Sequence, residues 1–259
     1  MKKRFLIMLA SMLAVLMVFS IFQLWRYFSA EQKTQQEYDS LAELIEAPPQ
    51  PAPEDYGQPG KTAEPEWTVY DQYGALFEQN PNTIGWISIE GTALNYPVMH
   101  TPGSPGFYLR RNFEGQYSEA GVPYAAEGCS ISPQSDNITI YGHHMKSGKM
   151  FGALDGYTNE TFWREHPIIR FDTRAGFGEY EVFAVFKVAP ADFLYNAFIN
   201  AAEQAEFDKY VSRCKALSLY DTGISAAYGD KLITLSTCEY SQEDGRLVVV
   251  ARKIVEGGV

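Results

Sequence analysis

The sequence has little cysteine and little positive charge, and each shortage excludes a class of protein. Three cysteines in 259 residues are too few, and odd in number, for a secreted fold held together by many disulfides. Lys and Arg total 21 against 32 Asp and Glu, a formal net charge of −11. A nucleic-acid-binding protein needs a basic surface to neutralise phosphates, so we expect no nucleic-acid partner. Apolar residues still make up 46% of the chain, which is typical of a folded protein.

Charged residues, proline and glycine are all missing from residues 5–25. A helix of about 21 residues spans roughly 30 Å, the thickness of the hydrocarbon core of a bilayer. Lys2, Lys3 and Arg4 precede this run, so the positive-inside rule predicts a cytoplasmic N-terminus and an extracellular remainder. A cleaved signal peptide is the alternative, but its apolar core usually has only about 7–15 residues. We therefore predict that residues 1–30 form a cytoplasmic tip and an uncleaved, single-pass transmembrane anchor in the cell membrane.

Proline is concentrated in one segment. Residues 31–46 are polar and favour a helical stem, whereas six of the 14 prolines lie in residues 47–66. Proline at this density prevents regular helices and sheets and favours an extended spacer. We therefore predict a polar stem and a proline-rich linker over residues 31–66, followed by one folded domain over residues 67–259.

Short runs of β-branched and aromatic residues, bounded by turn residues, dominate the chain from residue 67 onward. They predict eight strands, at residues 84–90, 95–99, 122–125, 137–142, 168–172, 178–188, 231–237 and 246–255. Helices are predicted at residues 67–80, 158–166 (capped by Thr158 or Asn159) and 200–216. The last of these lies in a long excursion, residues 191–226, where we expect a binding surface. This pattern favours a mainly β fold, a single closed or nearly closed eight-stranded barrel with short peripheral helices.

Two predicted strands end in residues with reactive side chains. The fourth strand runs into His143 and His144, and the seventh runs into Cys238. Arg246 opens the eighth strand, so a hairpin between the last two strands would place it beside Cys238. A nearby cation lowers the pKa of a cysteine thiol, and His143 can supply that cation and later protonate a leaving amine. Arg246 keeps its charge and suits an oxyanion, so these residues together predict acyl transfer through a thioester.

Each of these residues also has a simpler interpretation. A cysteine at a strand end is more often a small buried apolar residue than a nucleophile. Paired histidines could form a turn, or a metal site if a carboxylate joined them. However, adjacent residues of a strand point to opposite faces, so we predict no metal and no cofactor. An arginine at the start of a strand can simply discourage edge aggregation. The predicted strands bring all three residues together, and this combination favours the catalytic interpretation.

The motifs around these residues resemble those of the sortases, the membrane-anchored cysteine transpeptidases of Gram-positive cell surfaces. TLSTC at residues 234–238 matches the TLxTC signature of the family. His143, directly after a glycine, and Arg246, at the head of RLVVVA, match its second and third elements. The segments NPNTIGWISIEGTALNYPVM, YLRRNFEG and IYGHHMKSGKMF resemble class B sortases. The resemblance covers roughly residues 67–255.

This resemblance implies a role for several residues. Cys238 would be the nucleophile, His143 the catalytic histidine, and Arg246 the group that holds the substrate backbone or the oxyanion. The residues that match substrate-contacting or pocket-wall positions are Ser236, Glu239 and Leu109. The backbone N–H of Glu239 would be a further oxyanion donor. No role follows for His144.

The resemblance also implies the partners of the enzyme. It would cleave the Thr–Gly or Thr–Asn bond of an NPxTG-like or NPxTN-like sorting motif near the C-terminus of a secreted protein. An amine of a lipid II-type peptidoglycan precursor, or a lysine of a pilin subunit, would resolve the thioester. No second apolar segment follows the last predicted strand, which makes a class C pilin polymerase the less expected case.

Two other functions remain open at this point. A membrane-tethered cysteine hydrolase of peptides or peptidoglycan is disfavoured by the His…Cys…Arg order, since papain-like enzymes place cysteine before histidine. A non-catalytic wall-binding module would have an unreactive Cys238. Cys129 and Cys214 have no place in the sortase signature. They could pair with each other outside the cell, which their spacing does not decide, but we expect both to be free or buried thiols.

Overall fold

The computed structural model describes residues 2–47, 67–241 and 244–254, and the chain divides into two compact units, residues 1–41 and 42–259. Helix α1 (Lys2–Ala42) is continuous. Its segment Lys3–Arg26 has a mean hydropathy of 2.7 and no buried residue, and it is long and apolar enough to cross a membrane. The expected apolar helix is therefore present, and it continues into the predicted stem. Residues 48–66, most of the predicted linker, lie outside the described residues.

Eight strands close into a barrel in the spatial order β1-β2-β3-β4-β7-β8-β6-β5. The strands are β1 (Thr83–Ser88), β2 (Asn95–Met99), β3 (Tyr124–Ala125), β4 (Asn137–Tyr141), β5 (Ile168–Thr173), β6 (Glu179–Val188), β7 (Leu232–Cys238) and β8 (Arg246–Lys253). The pairs β2–β3 and β4–β7 are parallel, whereas the other described pairs are antiparallel. The prediction of a closed, mainly β barrel with eight strands is confirmed.

Short helices precede and connect these strands. They are α2 (Val69–Gln79), α3 (Glu160–Glu165) and α4 (Gln204–Leu217), with 3₁₀ helices at Phe107–Arg110, Phe151–Thr158 and Tyr195–Ala197. Of the two predicted caps of α3, Asn159 is the one used, and its side chain accepts a hydrogen bond from the N–H of Thr161. Helix α4 begins four residues later than the predicted start at Asn200. Residues 200 and 201 are instead hydrogen-bonded to Asp136, ahead of β4.

An apolar core lies outside the barrel, beneath α4. It joins α4 residues such as Phe207 and Tyr210 to Phe186 of β6, Leu232 of β7 and Val248 of β8. Alternate residues of a strand share a face, so residues 234, 236 and 238 of β7 follow Leu232 onto this covered side. The hydroxyls of Tyr210 and Thr234, 3.1 Å apart, agree with that placement. The nucleophile candidate Cys238 therefore lies where the face covered by the 191–226 excursion ends.

Asp136 attaches this excursion to the barrel at residues 200 and 201. Its carboxylate accepts hydrogen bonds from Lys231 Nζ at 2.7 Å and from the N–H of Ala201 at 2.9 Å. Its own N–H donates to Asn200 Oδ1 at 3.0 Å. Burial opposes ionisation of this carboxyl, but the Lys231 and Ala201 hydrogen bonds and the charge of Lys231 outweigh burial and lower the pKa of Asp136.

We expect stability to depend on the ionisation of Asp136. A folded-state pKa below the unfolded value means that its stabilisation is present above about pH 4 and is lost as the pH falls through the folded pKa. Asp136→Asn should cost about 1–2 kcal/mol at pH 7 and flatten the acid limb. Urea unfolding of the full chain in detergent, followed by tryptophan fluorescence from pH 2 to 7, measures both effects. Asp208→Asn, on the exposed side of α4, is the control, and an acid limb identical to that of wild type in Asp136→Asn would contradict the assignment.

Candidate active site

The hairpin between β7 and β8 brings two of the predicted site residues together. Cys238, the last residue of β7, is paired directly with Arg246, the first residue of β8. Opposed residues of an antiparallel pair have Cβ atoms about 4.5–5.5 Å apart, so their side chains are neighbours. The thiol of Cys238 is free and partly exposed. The structure thus has the Cys238–Arg246 pairing that the hairpin argument predicts.

The guanidinium of Arg246 is held over the turn that precedes it. Its Nη1 donates to the carbonyls of Asp244 at 3.1 Å and Gly245 at 2.9 Å. Burial raises the pKa of the Tyr141 and Tyr195 phenols, and the charge of Arg246 is among the effects that oppose this rise. An open cleft of about 480 Å³ adjoins this side chain, and its lining residues are Ala189, Pro190, Ala191, Asp244 and Arg246. Arg246 therefore supplies a fixed positive charge at the edge of a cleft.

His143 reaches the same end of the barrel through the parallel pairing of β4 with β7. The C-terminal ends of parallel neighbours meet at one edge, and Tyr141 lies opposite Ser236. The N–H of Gly142 donates to the Ser236 carbonyl at 3.2 Å. The hydroxyl of Thr237 donates to the Gly142 carbonyl at 2.8 Å. The residue after Gly142, which is His143, is therefore placed at the edge where β7 ends in the nucleophile candidate.

Gly142 is required by a close approach. A Cβ atom at this position would lie 2.5 Å from the ring of Phe151, which is inside van der Waals contact. The N–H of Phe151 donates to the carbonyl of His143 at 3.0 Å. The glycine therefore lets the Phe151 ring pack beneath the strand end and fix the backbone that carries His143.

The imidazole of His143 is oriented by a backbone carbonyl. Its Nε2 lies 2.7 Å from the carbonyl oxygen of Leu109, which can only accept a hydrogen bond. Nε2 therefore carries the hydrogen, and Nδ1 is the nitrogen left for proton transfer. The Leu109 side chain is 43% exposed. The predicted pocket-wall residue and the predicted histidine are thus in contact, through a main-chain atom that the sequence motif does not reveal.

Ser236 lies beneath the site surface. It is 2% exposed, and its Oγ is 2.7 Å from the hydroxyl of Tyr195, on a 3₁₀ helix of the excursion. Ser236 therefore links the excursion to the nucleophile strand, two residues before Cys238.

The carboxylate and the backbone N–H of Glu239 are both hydrogen-bonded. Its carboxylate accepts hydrogen bonds from Lys187 Nζ at 3.0 Å and from Ser241 Oγ at 2.7 Å. Burial opposes its ionisation, but the bonds from Ser241 and Lys187 outweigh burial and lower its pKa. Its N–H donates to the Gly245 carbonyl at 2.8 Å. The hairpin therefore occupies the N–H that the resemblance assigns as a further oxyanion donor, and that role stays a prediction.

Sequence reasoning missed an aromatic wall beside the thiol. The rings of Tyr124 and Tyr141 are 5.5 Å apart, and the hydroxyl of Tyr141 accepts a hydrogen bond from Asn196 at 3.0 Å. Burial, with smaller contributions from Tyr141 and from the charge of a Cys238 thiolate, raises the pKa of Tyr124 to about 12. The strand pattern predicts β3 and β4, but their side-by-side placement depends on pairing that local sequence does not encode.

The other two thiols do not compete with Cys238. Cys129 and Cys214 are both free and buried, as expected. Burial raises the pKa of both, that of Cys214 to about 12, so they stay protonated at neutral pH. Within the described ranges, no three His, Cys, Asp or Glu side chains form a group that could hold a metal ion.

Comparison with known proteins places this site in a family. A Sortase domain model matches residues 87–254. Sortase B of Staphylococcus aureus is 31% identical over 189 residues, which are 72% of this chain and 76% of that protein. The S. aureus sortase B–substrate complex has a TM-score of 0.67 at 30% identity, covering 72% of this chain and 86% of that one. Sortase B complexed with triglycine has a TM-score of 0.67 at 29% identity, covering 73% and 88%. The chain belongs to the sortase family of cysteine transpeptidases, and the relatives that it matches are class B sortases.

Proposed function

We propose that this sortase cleaves an NPxTN-like or NPxTG-like sorting motif near the C-terminus of secreted proteins and transfers the acyl group to an amine of a cell-wall precursor. The observation that carries the proposal is the arrangement at one barrel edge. There, the partly exposed Cys238 is paired with Arg246, and β4 delivers His143 to the same edge. A nucleophile, a proton carrier and a fixed cation are what acyl transfer through a thioester requires.

The reaction follows from these three groups. The Cys238 thiolate attacks the threonine carbonyl carbon of the motif, and the resulting oxyanion is stabilised by the Arg246 guanidinium. The imidazolium of His143 donates its Nδ1 proton to the departing amine as the C–N bond breaks, which leaves a thioester. An incoming amine then attacks the thioester, His143 accepts its proton, and the thiolate departs as the new amide forms.

The remaining predicted site residues shape the pocket. Leu109 offers an exposed side chain beside the peptide and holds the His143 ring through its carbonyl. Ser236 acts through Tyr195, which it ties to the nucleophile strand. The Glu239 carboxylate faces Lys187 and fixes the backbone directly after Cys238. We assign substrate contact to Leu109 and support of the pocket wall to the other two.

A related structure that contains a short peptide with a free amine supports the choice of the acyl acceptor. The solved sortase B complexed with triglycine favours a peptidoglycan-precursor amine over a pilin lysine for this chain. The apolar helix Lys3–Arg26, with Lys2, Lys3 and Arg4 at its N-terminal end, favours a cytoplasmic N-terminus and an extracellular catalytic domain. The proposed organisation is an anchor over residues 1–30, a stem and linker over residues 31–66, and the catalytic domain over residues 67–259.

A peptide panel tests both the reaction and the motif. We expect the full chain in detergent to cleave NPxTN- and NPxTG-type peptides after threonine and to join them to triglycine. LPxTG-type peptides should react at least about tenfold more slowly in kcat/KM, since each misfitted pocket contact costs about 1–3 kcal/mol. Mass spectrometry identifies the products. Free acid alone at saturating triglycine would indicate a hydrolase, whereas no cleavage together with an unreactive Cys238 would indicate a binding module.

A further inference from the structure

His144, which follows the proposed catalytic histidine, is held by a separate set of contacts. Its side chain is 11% exposed, and its Nε2 lies 2.7 Å from Oδ2 of Asp155. A carboxylate can only accept, so Nε2 carries the hydrogen. Nδ1 is buried and has no hydrogen-bond partner among the described residues. Within that part of the chain, Asp155 therefore provides the polar restraint on the orientation of this ring.

The same ring touches the segment that follows the nucleophile. The rings of His144 and Tyr240 meet edge to face, with centroids 5.3 Å apart and planes at 83°. Tyr240 lies two residues after Cys238 in the chain, and its side chain is 68% exposed. One imidazole therefore joins the backbone that carries His143 to the backbone that carries Cys238.

The loop from His144 to Met150 has a backbone conformation that is costly in free energy. Residues His144 and Met150 form an isolated antiparallel bridge, and the N–H of Phe151 closes the loop on the His143 carbonyl. Met150 is a buried, non-glycine residue with φ of 52° and ψ of −135°, a sparsely populated backbone conformation that costs of order 1–3 kcal/mol. Such a conformation persists only where surrounding contacts fix it, and the Asp155 carboxylate adds one such contact from the 3₁₀ helix Phe151–Thr158.

We infer that His144 and Asp155 are a positioning pair that sets the placement of His143 relative to Cys238. The peptide linkage between the two histidines makes any rotation of the His144 backbone a displacement of His143. Proton transfer requires heavy atoms within about 2.6–3.2 Å, so a small displacement slows it. Neither member of the pair is among the residues proposed to hold the peptide. The effect therefore falls on kcat and on the reactivity of Cys238, with KM little changed.

Alkylation of Cys238 tests this placement without any substrate. The rate of iodoacetamide modification, assigned to Cys238 by mass spectrometry, is measured at pH 7 on the full chain in detergent. His143→Ala gives the rate of a thiol without its imidazole. His144→Ala and Asp155→Ala should each slow modification about 3- to 10-fold towards that rate, and the double variant should be no slower than either, because the two residues act as one unit. His144→Gln, whose amide can still donate to Asp155, should recover most of the rate.

Steady-state kinetics with the sorting peptide complete the test, and this arm rests on the proposed function. His144→Ala and Asp155→Ala should each lower kcat about 10-fold, with KM within about twofold of wild type. Glu160→Gln removes an exposed ion pair on the neighbouring α3 and is the matched control for a general surface effect. Asp155→Ala keeps the test valid if His144→Ala folds poorly, as judged by its thermal midpoint.

The outcomes separate the two proposals. A slow His143→Ala with wild-type rates in His144→Ala and Asp155→Ala would overturn the positioning pair and leave the proposed function intact. Additive losses in the double variant would also overturn the pair. If His143→Ala itself alkylates at the wild-type rate, the His143–Cys238 couple of the proposed function fails.

Discussion

Replacing Cys238 by alanine is expected to abolish cleavage of the sorting peptide and formation of the acyl-enzyme. Loss of the nucleophile should lower kcat/KM by at least about 10⁴-fold, because no other group can form the thioester. Cys129 and Cys214 cannot substitute, since both are buried and burial raises their pKa. Peptide cleavage followed by chromatography, and the intact mass of the protein trapped with peptide, measure the two losses.

The matched control is a second cysteine. Cys129→Ala removes a thiol that is 5% exposed and is expected to retain the kcat/KM of wild type within about threefold. The peptide adduct should be present in this variant and absent from Cys238→Ala. Undiminished cleavage by Cys238→Ala would end the assignment of this residue as the nucleophile, and an adduct mapped to Cys214 would do the same.

Replacing each of the two adjacent histidines by alanine should have unequal effects on turnover. We expect His143→Ala to lower kcat about 10³-fold, within the range attributed to a positioned general acid and base. The reason is geometric, because Nε2 is bound to the Leu109 carbonyl and only Nδ1 is left to exchange protons with the thiol and the amine. His144→Ala should keep measurable turnover, since its Nε2 is directed to Asp155. Single-turnover measurements with the same peptide compare the chemical steps directly.

These two variants are each other's control. They remove the same ring from neighbouring positions, so a general effect of losing an imidazole would lower both rates alike. The reverse order, with His143→Ala active and His144→Ala inactive, would transfer the catalytic role to His144.

The parts of this site that sequence predicts are those encoded by local pattern. Alternation and turn residues locate β7 and β8, and a hairpin between adjacent strands fixes the pairing of Cys238 with Arg246. The glycine before His143 is part of the sequence motif. The structure supplies its reason, since the ring of Phe151 approaches it closely. Chemistry that depends on one residue at the end of one strand is therefore accessible without a structure.

The parts that sequence does not predict depend on atoms far apart in the chain. Nothing in the local pattern indicates that the Leu109 carbonyl orients His143, 34 residues later. The contact of Ser236 with Tyr195 spans 41 residues, and the delayed start of α4 follows from Asp136, over 60 residues earlier in the chain. In each case a main-chain group or a hydroxyl finds a partner only after the barrel has closed.

The place of β8 in the barrel determines when the enzyme becomes competent. It is the eighth strand along the chain, yet it lies between β6 and β7, so the sheet stays open until this strand has been synthesised and inserted. Long-range pairing of this kind is slow, because loop closure must precede the contacts that stabilise it. The hairpin that pairs Cys238 with Arg246 is local, but the closed barrel that completes the catalytic surroundings of the thiol forms only in the finished domain.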